Sequence, residues 1–151
     1  MKNRYYINPL TGEKRVLYVH PIERKAAEDY ASLTEPEIVW YTTTRFINCV
    51  RDGGLISYYY NGYAEHVQDL VRSLDILGAM DAKTMVLKIN ALFGAEVPKT
   101  AEAINDAILL WPDTPAYKMT EENGQAELAA ATDVEQRLNV FTLRHGIGSA
   151  Q

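Results

Sequence analysis

A chain of 151 residues, 47% hydrophobic and 23% charged, has the composition of a soluble globular domain large enough to bury a core. Its net charge of −5 disfavours direct contact with nucleic acid, and no apolar run approaches the roughly 20 residues of a bilayer span. The start, Met1-Lys2-Asn3-Arg4-Tyr5-Tyr6, has basic residues but no apolar stretch behind them, and Cys49 stands alone, so a cytoplasmic protein without disulfides is expected.

The charge is uneven along the chain. Residues 1–30 carry six Lys/Arg against four Asp/Glu, whereas residues 31–151 carry nine against sixteen. The acidic excess lies in the body, which favours a protein partner with a basic surface. Solubility alone would also account for a charge of this size.

In chain order, Arg4–Ile7 and Arg15–Val19 are rich in β-formers, and Asn8-Pro9-Leu10-Thr11-Gly12 between them supplies turn chemistry. A β-hairpin over residues 1–20 is expected as an extension to a single helical domain over residues 21–151. Pro21 suits the first turn of a helix running to about Ser32, with Ile22, Ala26 and Ala27 on its apolar face. Thr34-Glu35-Pro36-Glu37 then reads as a capping box. The following Ile38-Val39-Trp40-Tyr41-Thr42-Thr43-Thr44 has strand propensity. Positions 39, 43, 46 and 50 nevertheless recur at helical spacing, and Gly53-Gly54 stops the segment where a helix would end.

Asp52-Gly53-Gly54-Leu55-Ile56-Ser57-Tyr58-Tyr59-Tyr60-Asn61-Gly62-Tyr63 organises the rest. Glycine accepts positive φ freely, so both ends are natural turns. The tyrosines between them gain most with the ring buried and the hydroxyl bonded. The structural reading is a short buried connector between flanking helices. The functional reading is an aromatic contact surface next to Asp52 and Asn61.

Ala64, Val67, Leu70, Val71, Leu74 and Leu77 form the clearest apolar stripe, ended by Gly78. Asp81 is expected to cap the next helix, with Ala82, Met85, Val86, Ile89, Leu92 and Phe93 on one side and Gly94 at its end. Thr100 caps another, with Ile104, Ala107, Ile108 and Trp111 inward. Residues 112–124 read as an exposed connection. Residues 125–145 form the last helical region, with Leu128, Val134, Leu138 and Phe141 inward and an interruption at Thr132-Asp133. The fold class is all-α, a multi-helix bundle with the small hairpin attached.

Candidate chemistry is sparse. His20, His66 and His145 have no metal-ligand spacing, and Gly53-Gly54 lacks the Lys-Ser/Thr of a phosphate loop. Cys49 has no visible base, and Glu121-Glu122 reads as a solvated face. No cofactor is expected, and a non-enzymatic role is favoured.

The order Leu33-Thr34-Glu35-Pro36-Glu37, Gly53-Gly54-Leu55, Tyr58-Tyr59-Tyr60-Asn61, Gly62-Tyr63-Ala64 and Leu77-Gly78-Ala79 resembles the DNA-mimic protein 19 family over roughly residues 33–110. Asp52 stands where that family usually has Asn, Leu55 where it has Phe, Ser57 where it has Gln, and the turn after Asn61 is shorter. The resemblance implies an all-helical fold, a possible homodimer and, for the namesake, carboxylates presented to a regulator as DNA phosphates are.

The leading expectation is an acidic protein that neutralises a bacterial toxin or effector as an immunity protein. The alternatives are a DNA mimic that sequesters a DNA-binding regulator, and a small-molecule binder or enzyme using the Tyr-rich segment. Candidate partner-binding residues are Asp52, Tyr58, Tyr59, Asn61, Glu65, Asp69, Asp75, Glu121 and Glu122. Gly53, Gly54, Tyr60, Gly62 and Tyr63 are read as structural.

Overall fold

The computed structural model describes residues 5–16, 19–111 and 122–147. Two compact units divide after Thr34, the second spanning Glu35–Ile147. In the first unit, β1 (Tyr5–Ile7) and β2 (Lys14–Val16) form a short antiparallel ladder, Tyr5 opposite Val16 and Ile7 opposite Lys14. The turn closes through Asn8, whose backbone N–H donates to Glu13 O and whose side chain accepts from Leu10 N. Helix α1 (Pro21–Asp29) starts at proline as expected, and His20 Nδ1 caps it by accepting from Ile22 N at 3.1 Å. It ends earlier than Ser32, giving way to a 3-10 turn over Tyr30–Ser32.

The second unit is built around α2 (Glu35–Gly53), against which α3 (Ile56–Tyr60), α4 (Val67–Leu77) and α7 (Gly124–His145) pack. Val39, Thr43, Phe46 and Val50 are all buried, so tertiary packing overrides the strand propensity of 38–44. The buried hydroxyls are satisfied without breaking the helix. Thr43 donates to Val39 O at 2.6 Å, and Thr42 shares its proton between Ile38 O (2.8 Å) and Ser73 Oγ on α4 (3.0 Å).

A 3-10 turn, Tyr63–His66, leads into α4. That helix buries Val67, Leu70, Leu74 and Leu77 and ends at Gly78, where φ is +71°. There Ala79 N donates to Leu74 O and Gly78 N to Asp75 O. Helix α5 (Met80–Leu92) follows directly, so Ala79 holds its cap position and Asp81 lies inside the first turn. Helix α6 (Ala101–Ile108) is capped by Thr100 Oγ1, which accepts from Ala103 N at 3.2 Å. A ring chain unites the parts: Tyr58–Tyr59 at 5.8 Å, Tyr59–Phe93 at 5.6 Å and Phe93–Trp111 at 4.6 Å between centroids.

Helix α7 corrects two expectations. It is continuous through Thr132-Asp133, because Thr132 bonds back to Leu128 O and Asp133 pairs with Arg137 one turn on. Leu128 is 46% exposed; the inward face is Glu127, Ala130, Ala131, Val134 and Leu138, one residue out of phase with it. Of the expected connection at 112–124, residues 112–121 lie outside the described residues, and Gly124 already belongs to α7.

Candidate functional site

The C-terminal half of α2 and the segment 53–63 enclose a cleft of about 490 Å³. Arg45, Asn48, Cys49 and Asp52 come from α2, where they recur at helical spacing, while Ser57, Asn61 and Tyr63 come from the far wall. Arg45 lies with its guanidinium carbon 5.0 Å from the Tyr63 ring centroid and 5.4 Å from that of Tyr41. Arg51 is ion-paired with Glu135 of α7. Ser57 Oγ shares its proton between Cys49 O (2.7 Å) and Gly54 O (2.8 Å), which ties the start of α3 to the end of α2.

Gly54, φ +80°, makes the reversal between these helices, whereas Gly53 completes α2 in helical geometry. The next residue shows why the turn is held. Leu55 N donates to both carboxylate oxygens of Glu127, at 3.2 and 3.3 Å, and Glu127 is only 5% exposed. Burial raises the Glu127 carboxyl above its ordinary value, and the Leu55 bond opposes that shift. At the second turn, Gly62 has φ +80°, and a Cβ there would lie 3.3 Å from Ala101 Cβ at the start of α6.

Of the expected contact residues, Asp52 and Asn61 are exposed and line the cleft, with Tyr63 half-buried beside them. Tyr58 and Tyr59 are corrected: at 1% and 0% exposure they cannot touch a partner, because the helical phase of α3 turns both rings into the core. Tyr59 donates to Asn90 Oδ1 at 2.6 Å, and burial pushes its hydroxyl well above the usual phenol range. Tyr60 faces out at 41%. Cys49 is buried as expected, and that burial raises its thiol, against the opposing effect of Ser57, Asn61 and Arg45, so little thiolate is present at neutral pH.

The expected carboxylates are not gathered into one array. Glu65 Oε1 accepts from Ala101 N at 3.2 Å, Asp69 pairs with Arg72 at 2.7 Å, and Asp75 pairs with Lys83 at 2.8 Å. Glu122 is exposed, and Glu121 lies outside the described residues. Sequence reasoning missed Arg45, Asn48 and Glu127. The periodicity of 127, 131, 134 and 138 was the available signal for the last.

No helix among the described residues is long and apolar enough to cross a membrane, and no group of His, Cys, Asp or Glu among them could hold a metal ion. A family model described as DMP19-like protein matches residues 31–141. No curated protein and no solved structure matches the chain.

Proposed function

Since the chain belongs to the DMP19-like family, we propose that it is a non-enzymatic binding protein whose acidic helical unit occupies the DNA-binding surface of a basic protein. The observation that carries this reading is the imbalance of unpaired surface charge. Among the described residues of the helical unit, Glu35, Asp52, Asp81, Glu96, Glu102, Asp106 and Glu122 are exposed carboxylates without an ion-pair partner. Lys88, Lys99 and Arg144 are the exposed cations in that condition. Three of the carboxylates, Glu96, Glu102 and Asp106, lie on α6 or the loop before it, and α6 packs against α3 of the Tyr-rich segment. Such a surface accelerates encounter with a basic partner and makes binding salt-sensitive.

A second reading, neutralisation of a basic toxin or effector, is favoured by the ion pairs Asp69–Arg72, Asp75–Lys83 and Asp133–Arg137. They interrupt the negative surface and leave discrete patches instead of a continuous phosphate-like track. Affinity capture from the source organism at low and high salt tests both. A captured DNA-binding regulator supports the first reading, and a captured nuclease or other toxin supports the second. Capture that is indifferent to salt, or binding of the protein itself to duplex DNA, contradicts both.

A further inference from the structure

We infer that Leu109 and Leu110, at the C-terminal end of α6, are the apolar anchor by which this protein docks on the basic partner of the proposed function, with Glu102 and Asp106 as its charged rim. The inference rests on that reading and adds to it a contact that DNA itself does not offer. Helix α6 buries Ile104 and Ile108, one turn apart, and packs against α3 and the 3-10 turn Tyr63–His66. Glu102 and Asp106 are exposed on it, and Asp106 stands one turn before both leucines. Leu109 and Leu110 are 72% and 83% exposed, the one pair of sequence neighbours among the exposed large hydrophobics of the described residues.

The backbone holds these leucines in place. Leu109 N donates to Asn105 O at 3.1 Å, Leu110 N to Ala107 O at 3.1 Å and Trp111 N to Ile108 O at 3.0 Å, so the chain keeps turning past the end of the helix. Ile108 on one side is buried, and Trp111 on the other is buried edge-on to Phe93 at 4.6 Å between centroids. With both flanking side chains in the core, the two leucines between them point to solvent. Folding leaves their apolar area in water, and association removes it.

Charge complementarity selects the occupant. Glu102 and Asp106 have no ion-pair partner among the described residues, whereas Lys99 precedes the N-cap, at the far end of α6 from the leucines. A partner that fits presents an apolar side chain or shallow apolar pocket with Lys or Arg around it. A second copy docked through the same face would set its own carboxylates against these two. The leucines add a part of the binding that salt does not screen, in contrast to the carboxylates.

The test measures Kd of the purified basic protein captured from the source organism for the wild type, for Leu109→Ser with Leu110→Ser, and for Glu102→Gln with Asp106→Asn, at low and high salt. The leucine variant is expected to bind at least about fivefold more weakly at both salt concentrations, and the charge variant to lose affinity mainly at low salt. Both variants should melt close to the wild type, since all four positions are exposed. Should the leucine double variant melt far below it, Leu110→Ser alone, at the more exposed position, takes its place with a loss of at least about threefold expected. A smaller loss, with the partner still bound, overturns the anchor and leaves the proposed function standing. Capture without any basic protein removes both. A wild type that sediments as a dimer, with a leucine variant that sediments as a monomer, would give this face to a second copy and overturn the docking.

Discussion

Glu127 gives the sharpest test of how the 53–63 segment is held. Replacing it by Ala removes both acceptor oxygens from Leu55 N and leaves that donor in a site where Leu55 is 1% exposed. An orphaned buried donor costs about 1–3 kcal/mol, which for a unit of this size lowers the melting temperature by roughly 5–15 °C. Glu127→Gln keeps an acceptor and discards the charge, so it should stay within about 1 kcal/mol of the wild type at neutral pH. The two variants also differ in pH dependence. Burial raises the folded-state carboxyl above its ordinary value, so the folded protein holds this proton more tightly than the unfolded chain does. That contribution is fully present below the ordinary carboxyl value and is lost as pH rises through the raised folded value. Urea melts at a series of pH values should therefore show a loss of stability with rising pH that Glu127→Gln removes. Equal destabilisation by Ala and Gln, or an unchanged pH slope in the Gln variant, would refute the role assigned to this carboxylate.

Other expectations follow from the same region. Gly54→Ala should cost about 1–2 kcal/mol by circular-dichroism melts, because φ is +80° there, while the nearest atom to a new Cβ, Glu127 Oε2 at 3.6 Å, is no obstacle. Gly53→Ala should lie near neutrality: the helical position favours Ala by up to about 1 kcal/mol, offset by a 3.2 Å approach to Ser57 Cβ. Tyr59→Phe should cost about 1 kcal/mol through the lost bond to Asn90, measured by urea denaturation. Glu102→Gln with Asp106→Asn should leave stability within about 0.5 kcal/mol, since both side chains are exposed and have no ion-pair partner among the described residues, while reducing the association rate with a basic partner in surface-binding kinetics.

The helical architecture was legible wherever one apolar stripe met an unambiguous stop. Val39, Thr43, Phe46 and Val50 before Gly54, and Val67 to Leu77 before Gly78, carried enough period to outweigh β-branched propensity. Helix α7 was less legible, because Ala130-Ala131 and the neighbouring alanines mark no face, and Leu128 outweighed Glu127 on hydrophobicity alone. The actual phase depends on one buried carboxylate finding Leu55 N some 72 residues earlier, a contact that no local pattern encodes. The three consecutive tyrosines posed a similar problem. Only the phase of a five-residue helix sends Tyr58 and Tyr59 inward and Tyr60 outward. Asp52 and Asn61, expected beside an aromatic contact surface, line the cleft. Arg45 and Asn48 were passed over because a polar stripe at helical spacing ordinarily reads as a solvated face. The acidic residues were visible as an excess, but their pairing with Arg72, Lys83 and Arg137 is set by the packed helices.

If the acidic unit occupies a DNA-binding surface, this protein and DNA must exclude one another from the same partner. Fluorescence anisotropy of a labelled duplex bound to the captured partner, titrated with this protein at fixed salt, reads that exclusion directly. Stoichiometric displacement of the duplex is expected, weakened by added salt and by neutralising Glu102 and Asp106. A ternary complex in which the duplex stays bound while this protein associates would contradict it.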